Sequence, residues 1–314
     1  MLHDWSVLTR TARDAPLALH LHISKTGGTT LRSFGASLLN RTDCNWNLRE
    51  GQLPGHAQAA RNSSCDFISI EAPAASLPWT WDGVSWPERG FTVTVLRNPF
   101  EQWYSVVRHT ISLLSKQERS IPPSELALER HELAQSATAI LRVGARNGSF
   151  TSTLYGGHDP RNMQTRWLGP SLDAALARIS DSRMLVLITE FYDASLCLAA
   201  VAAGNFGSAA RARCACTATR RPIAPHKNAR PGLAGTEGGS AHYDLDANTE
   251  ITELTGWLVD DLQLYAHALR LFFDDVRRAE ESVGVRFLCA GNGIAAAPYQ
   301  RWPHRPRAFD AAAK

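Results

Sequence analysis

The stretch HISKTGGTT at residues 22 to 30 brings a lysine, two glycines and several hydroxyl side chains together. Glycines let a backbone approach an anion closely, and N–H groups at the start of a helix point toward that anion. Lysine adds a mobile positive charge, and threonine adds hydroxyl donors. We therefore predict a phosphate-binding loop. Its candidate residues are Lys25, Thr26, Gly27, Gly28, Thr29 and Thr30.

The stretch VLRNPFEQWYS at residues 95 to 105 holds a second candidate anion site. Arg97 follows an apolar run, and Pro99 suits the first turn of a helix. Ser105 then falls about two turns along that helix, where its hydroxyl and the Arg97 guanidinium can converge on one anion. A pairing of Arg97 with Glu101 is the simpler alternative.

Four apolar or alternating runs predict the strands that position these residues. They are Leu17–Ile23, Phe67–Ile70, Phe91–Leu96 and Met184–Thr189. The predicted helices run from Thr29 or Thr30 to Leu39, from Pro99 to about Ser115, and over residues 125–143, 162–168, 171–179, 193–203 and 249–278. Strands that alternate with helices predict an α/β fold with a central parallel sheet flanked by helices.

The remaining segments predict connections within one domain that spans residues 1–314. Residues 40–65 are polar and rich in turn formers, and residues 204–247 are rich in Gly, Ala, Pro and Arg. We interpret residues 204–247 as a loop-rich insertion or a lid, because no linker composition marks a domain boundary there.

Composition excludes several classes of protein. The net charge of +3 is too small to indicate a nucleic-acid partner. No apolar run reaches the roughly 18 residues of a membrane span, so we expect any anchor to lie outside these residues. The six cysteines include no C-x-x-C pair, and we predict no metal site. Sequons at Asn40, Asn62 and Asn147 favour a glycoprotein of the secretory lumen.

The two anion motifs both follow predicted strands of one sheet, where open α/β sheets bind their ligands. Two such sites at one edge indicate a ligand with two separated phosphates. The lysine precedes the glycines, which disfavours the G-x-x-x-x-G-K-[ST] loop of nucleotide triphosphatases and P-loop kinases.

HISKTGGTTLR resembles the 5′-phosphosulfate loop of sulfotransferases that use 3′-phosphoadenosine 5′-phosphosulfate (PAPS), and VLRNPFEQWYS resembles their 3′-phosphate motif. The form of both is similar to the Golgi carbohydrate branch, such as the heparan sulfate 2-O-sulfotransferases. The likeness is strong over residues 17 to 110 except between residues 40 and 90, where it is poor. It is diffuse after residue 110, where NMQTRWL, VLITEFYDAS and DLQLYAHALRLF also resemble that branch. That family usually has proline at the position of Ser24 and aspartate at that of Asn98.

The resemblance implies a P-loop-type three-layer fold and transfer of a sulfuryl group from PAPS to an acceptor hydroxyl, without a metal. Lys25 would stabilise the leaving phosphate, Arg97 and Ser105 would hold the 3′-phosphate, and Lys227 would cover the nucleotide as part of a lid. The acceptor would be a glycan or a glycolipid in the Golgi lumen. If the sequons are unused, the protein would be cytoplasmic.

The resemblance also implies a general base at the end of the second predicted strand, where this chain has Glu71. His56, His109 and His158 are the rival bases, whereas His20 and His22 are predicted to be buried structural histidines. Two other functions stay open: sulfation of protein tyrosine or of a small alcohol, and nucleotide binding without catalysis.

Overall fold

The computed structural model describes residues 4–15, 18–24, 26, 31, 35–49, 67–71, 73–74, 80–81, 84–85, 91–103, 105–106, 161–216 and 255–288. The chain divides into two compact units. The first unit comprises Met1–Arg97, Thr165–Lys227 and Gln263–Lys314, and the second comprises Asn98–Gln164 and Asn228–Leu262. The prediction of one domain over the whole chain stays a prediction.

A five-stranded sheet forms the centre of the first unit, in the order β2-β3-β1-β6-β7. Its strands are β1 (Ala18–Leu21), β2 (Asp43–Arg49), β3 (Phe67–Glu71), β6 (Phe91–Leu96) and β7 (Met184–Ile188). Every neighbouring pair in this sheet is parallel. Two short strands, β4 (Thr80–Trp81) and β5 (Val84–Ser85), form a separate antiparallel pair.

Six helices have defined bounds among the described residues. They are α1 (Trp5–Asp14), α2 (Met163–Leu168), α3 (Leu172–Ile179), α4 (Tyr192–Ala202), α5 (Ser208–Cys214) and α6 (Val259–Val283). A short 3-10 turn, Thr189–Phe191, joins β7 to α4. Residues 31 and 35–38 are also helical, as are residues 99–103 and 105–106. The chain is therefore an α/β protein built on a parallel sheet, as the alternation of elements predicts.

The buried strands are the best-predicted elements. The prediction of Phe91–Leu96 matches β6 at both ends, and the prediction that β3 ends at Glu71 is confirmed. All five residues of β7 and all four of β1 are buried. Because alternate residues of a strand point to opposite faces, both faces of the sheet are covered along these strands.

Two segments predicted as loop contain regular structure. Residues 43–49, predicted as turns, form β2, which pairs only with β3 in the described sheet. Asp and Asn are depleted in strands, so the composition of this edge strand concealed it. Residues 208–214, predicted as loop, form α5. The long helix α6 runs over Val259–Val283, and residues 255–257 before it are also helical. Residues 249–254, where that helix is predicted to begin, lie outside the described residues, as does the predicted helix over 125–143.

A disulfide between Cys197 and Cys214 links α4 to α5. Cys216 is also disulfide-bonded. The sequence left the pairing of the cysteines open, because the spacing of six cysteines does not define their partners. The covalent link holds α5 against the buried helix that follows β7.

In the second unit, two helix starts cap each other through side chains. The Asn162 carboxamide oxygen accepts hydrogen bonds from the N–H groups of Asp260 at 3.1 Å and Asp261 at 3.2 Å, in the first turn of α6. The Asp261 carboxylate in turn accepts from the Gln164 N–H at 3.1 Å, in the first turn of α2. These bonds satisfy donors that a helix cannot satisfy within itself.

We predict that Asp261→Ala lowers the free energy of unfolding by about 1–3 kcal/mol, because the buried Gln164 N–H loses its carboxylate acceptor. Asp173→Ala is the control, since it removes an exposed acidic residue from the first turn of another helix, α3. We expect a smaller loss there. Urea unfolding at constant m-value measures both, and equal losses would contradict the reciprocal cap.

Candidate functional site

The edge formed by the carboxyl ends of β1 and β6 is the candidate ligand site. These two strands are neighbours in register, with Leu21 beside Thr94. From β1 the chain continues to β2 and β3 on one side, and from β6 it continues to β7 on the other. This reversal is the topological switch point at which open α/β sheets form a crevice. The sheet therefore brings together the two segments that carry the predicted anion motifs.

The loop after β1 is closed by the side chain of Thr26. This residue is buried, and its hydroxyl donates to the Ile23 carbonyl at 2.9 Å. The hydroxyl is thus used within the loop itself. The other predicted loop residues lie outside the described residues: Lys25, Gly27, Gly28, Thr29 and Thr30.

A residue that the sequence analysis missed joins the two motif segments. The hydroxyl of Thr189, at the end of β7, donates to the Leu96 carbonyl at 3.1 Å and also contacts the Thr26 carbonyl at hydrogen-bonding distance. Leu96 directly precedes Arg97. The available signal was the threonine that ends the apolar run MLVLIT, but only its partners reveal its role.

Arg97 follows β6 and is partly exposed. In the second unit, the buried Asn98 side chain accepts from the Phe100 N–H at 3.0 Å, and so caps the helix that starts at Pro99. Asparagine and aspartate cap helices about equally well. Ser105 is helical and partly exposed in the second unit. Its predicted convergence with Arg97 on one anion stays a prediction.

Glu71 ends β3 beside a pair of buried histidines. His20 Nδ1 and Ser69 Oγ lie 3.0 Å apart, and the rings of His20 and His22 stack with centroids 5.3 Å apart. The His22 N–H donates to the Ile70 carbonyl, which continues the parallel register by one residue and places His22 next to Glu71. The prediction that both histidines are buried is confirmed, whereas Glu71 is partly exposed.

Partial exposure at a sheet edge suits a carboxylate that must reach a substrate hydroxyl. The rival bases His56, His109 and His158 lie outside the described residues, as does the predicted lid residue Lys227.

The sequence predicts no metal site in the whole chain, and the structure describes only part of that chain. Within the described part, no group of three or more His, Cys, Asp or Glu residues could hold a metal ion. None of the described helices is both long and apolar enough to span a bilayer.

The helix that follows the loop is packed against β3 at Gly35. A Cβ atom on Gly35 would lie 2.7 Å from Cζ of Phe67, a fully buried ring. The same ring stacks on His20 with centroids 6.5 Å apart. The absent side chain at Gly35 therefore allows the helix to approach the face of the sheet that carries the histidines.

Comparisons with protein-family models, with curated proteins and with solved structures found no match to this chain. The likeness to PAPS-dependent sulfotransferases accordingly rests on the residues of the two motifs and on the chemistry that they support.

We predict that Gly35→Ala destabilises the protein by about 1–3 kcal/mol, because the added methyl group overpacks against the Phe67 ring. Gly256→Ala is the control, since a Cβ there meets nothing within 4 Å. Thermal unfolding compares the two variants. A Gly35→Ala protein as stable as the parent would contradict the close approach, and Gly35→Ala combined with Phe67→Leu should recover part of the loss.

Proposed function

We propose that this protein is a PAPS-dependent sulfotransferase with a P-loop-type three-layer fold. The observation that supports it most is the adjacency of β1 and β6, whose carboxyl ends precede the lysine–glycine loop and Arg97. A bisphosphorylated adenosine has anions at its 5′ and 3′ ends. Two anion motifs at neighbouring strand ends fit such a ligand, as helix starts and arginine forks bind phosphate.

In the proposed reaction, the Glu71 carboxylate accepts the proton of the acceptor hydroxyl as the hydroxyl oxygen attacks the sulfur. The new bond joins that oxygen to sulfur, and the bond between sulfur and the 5′-phosphate oxygen breaks. Lys25 and backbone N–H groups of the loop stabilise the charge that develops on the leaving 3′-phosphoadenosine 5′-phosphate (PAP). Arg97 and Ser105 hold the 3′-phosphate and orient the donor, and Lys227 covers it.

We propose a glycan or a glycolipid as the acceptor and the Golgi lumen as the compartment. The disulfides at Cys197–Cys214 and at Cys216 support an oxidising compartment, because cytosolic thiols are kept reduced. The three sequons point the same way. Assay of PAPS turnover with glycans, glycolipids, tyrosine peptides and small alcohols separates the carbohydrate acceptor from the alternatives.

We predict that PAP raises the melting temperature without Mg²⁺. At a concentration of about 100 Kd, a ligand adds roughly 2.7 kcal/mol of stability. AMP, which lacks the 3′-phosphate, should stabilise the protein less, and Arg97→Ala should remove most of the difference between PAP and AMP. Stabilisation by ATP with Mg²⁺ in place of PAP would instead indicate a kinase.

We predict that Glu71→Gln lowers kcat by about 10²–10⁴-fold, because the amide cannot accept the acceptor proton. The affinity for PAP should not change, since the amide retains the shape of the carboxyl group. Glu281→Gln, at an exposed position of α6, is the control for loss of one negative charge. Turnover near that of the parent protein would transfer the role of base to His56, His109 or His158. Normal PAP binding without turnover in the parent protein would support the non-catalytic alternative.

A further inference from the structure

Thr189 contacts the segments of both anion motifs through one hydroxyl group. Its Oγ1 lies 3.1 Å from the Leu96 carbonyl oxygen and within hydrogen-bonding distance of the Thr26 carbonyl oxygen. Those carbonyls belong to segments that follow two different strands, β6 and β1. A hydroxyl donor shared by both carbonyls links the position of one segment to the position of the other.

The turn that contains Thr189 is held in place from the side of α6. The Tyr265 hydroxyl donates to the Glu190 carboxylate at 2.7 Å, and Tyr265 is buried. The Phe191 ring contacts those of Phe272 and Phe273 with centroids 5.8 and 5.1 Å apart. Neighbours on the C-terminal side of Thr189 are thus fixed by a hydrogen bond and by aromatic packing.

The end of β7 is held from the N-terminal side. The buried Ser195 hydroxyl, on α4, lies 2.9 Å from both the N–H and the carbonyl oxygen of Ile188. Ile188 directly precedes Thr189. With both flanking residues anchored, the Thr189 hydroxyl is a fixed point on the scaffold and not a mobile side chain on a loop.

A fixed hydroxyl orients the peptides that it binds. The Leu96 carbonyl and the Arg97 N–H belong to one planar peptide unit, so orienting the carbonyl also orients the backbone of Arg97. The same reasoning applies to the peptide plane that begins with the Thr26 carbonyl. Since groups that bind phosphate must be placed to within about 0.5 Å, the separation of the two segments matters for a ligand that spans them.

We propose that Thr189 is a positioning residue that sets the spacing between the 5′-phosphosulfate loop and Arg97, and so allows one nucleotide to occupy both anion sites. This inference rests on the proposed function. Thr189 acts through the two backbone segments, and nothing in its role requires contact with the reacting atoms.

The test compares Thr189→Val, which keeps the shape of the side chain and removes the hydroxyl, with Thr189→Ser, which keeps the hydroxyl. Thr94→Val is the matched control, because the buried Thr94 hydroxyl also donates to a backbone carbonyl, that of Leu21 at 2.9 Å within the sheet. Calorimetric titration with PAP and with AMP, together with KM and kcat for PAPS and for the acceptor, provides the measurements.

We expect Thr189→Val to weaken PAP binding by about two- to tenfold, the range expected for the loss of one hydrogen bond. AMP binding should change less, because AMP does not span both sites, so the ratio of the two dissociation constants should move toward one. KM for PAPS should rise while KM for the acceptor stays constant. Thr189→Ser should restore both ligand affinities, and Thr94→Val should leave the ratio unchanged.

A folded Thr189→Val protein with the PAP and AMP affinities of the parent would overturn the proposal while leaving the sulfotransferase function intact. A parent protein that binds no PAP would overturn both. If Thr189→Val does not fold, Thr189→Ala removes the same hydroxyl with a smaller side chain, and the same shift in the ratio is expected. An equal shift in Thr94→Val, which removes a hydrogen bond between β6 and β1, would show that the ratio depends on the strand pairing and not on Thr189, and would also overturn the proposal.

Discussion

The parallel pairing of β1 with β6 is the constraint on which the rest of the site depends. Parallel strands place their carboxyl ends at one edge, and this pair lies where the chain reverses its direction across the sheet. Open α/β sheets form their ligand-binding crevice at such a reversal. Two segments separated by about seventy positions in the chain thereby become neighbours. This adjacency is the reason for proposing a ligand with two separated phosphates.

Buried polar side chains near this edge lie within hydrogen-bonding distance of other groups of the protein. His20 lies beside Ser69, Thr94 donates to Leu21, and Thr26 donates to Ile23. Burial of such groups is costly unless they form hydrogen bonds, so each bond favours one strand register and one loop closure over the alternatives. Gly35 adds a steric requirement, since only a residue without a side chain allows the helix to contact Phe67 at this distance.

Local composition predicted the buried elements because burial on both faces demands a continuous apolar run. FTVTVL and MLVLI show this, and their strands end where the composition changes. The same logic failed for β2, whose Asp and Asn residues belong to an edge strand, and for α5, whose sequence SAARARC is short and flanked by turn formers. For the candidate site, the sequence pointed to Glu71 and Arg97 as candidate residues, whereas it indicated Thr189 only as the end of a predicted strand.

The sequence by itself determined which chemical groups are present: a lysine–glycine–threonine loop, an arginine and a carboxylate, each at the end of a strand-forming run. Tertiary structure decided the order of the strands, the contact of Thr189 with two separate segments, the contact of His20 with Ser69, and the Cys197–Cys214 link. The physical reason is the separation, along the chain, of the residues that interact. Strand and helix formation depend on neighbouring residues, whereas these contacts join distant residues whose approach is set by how the whole core packs.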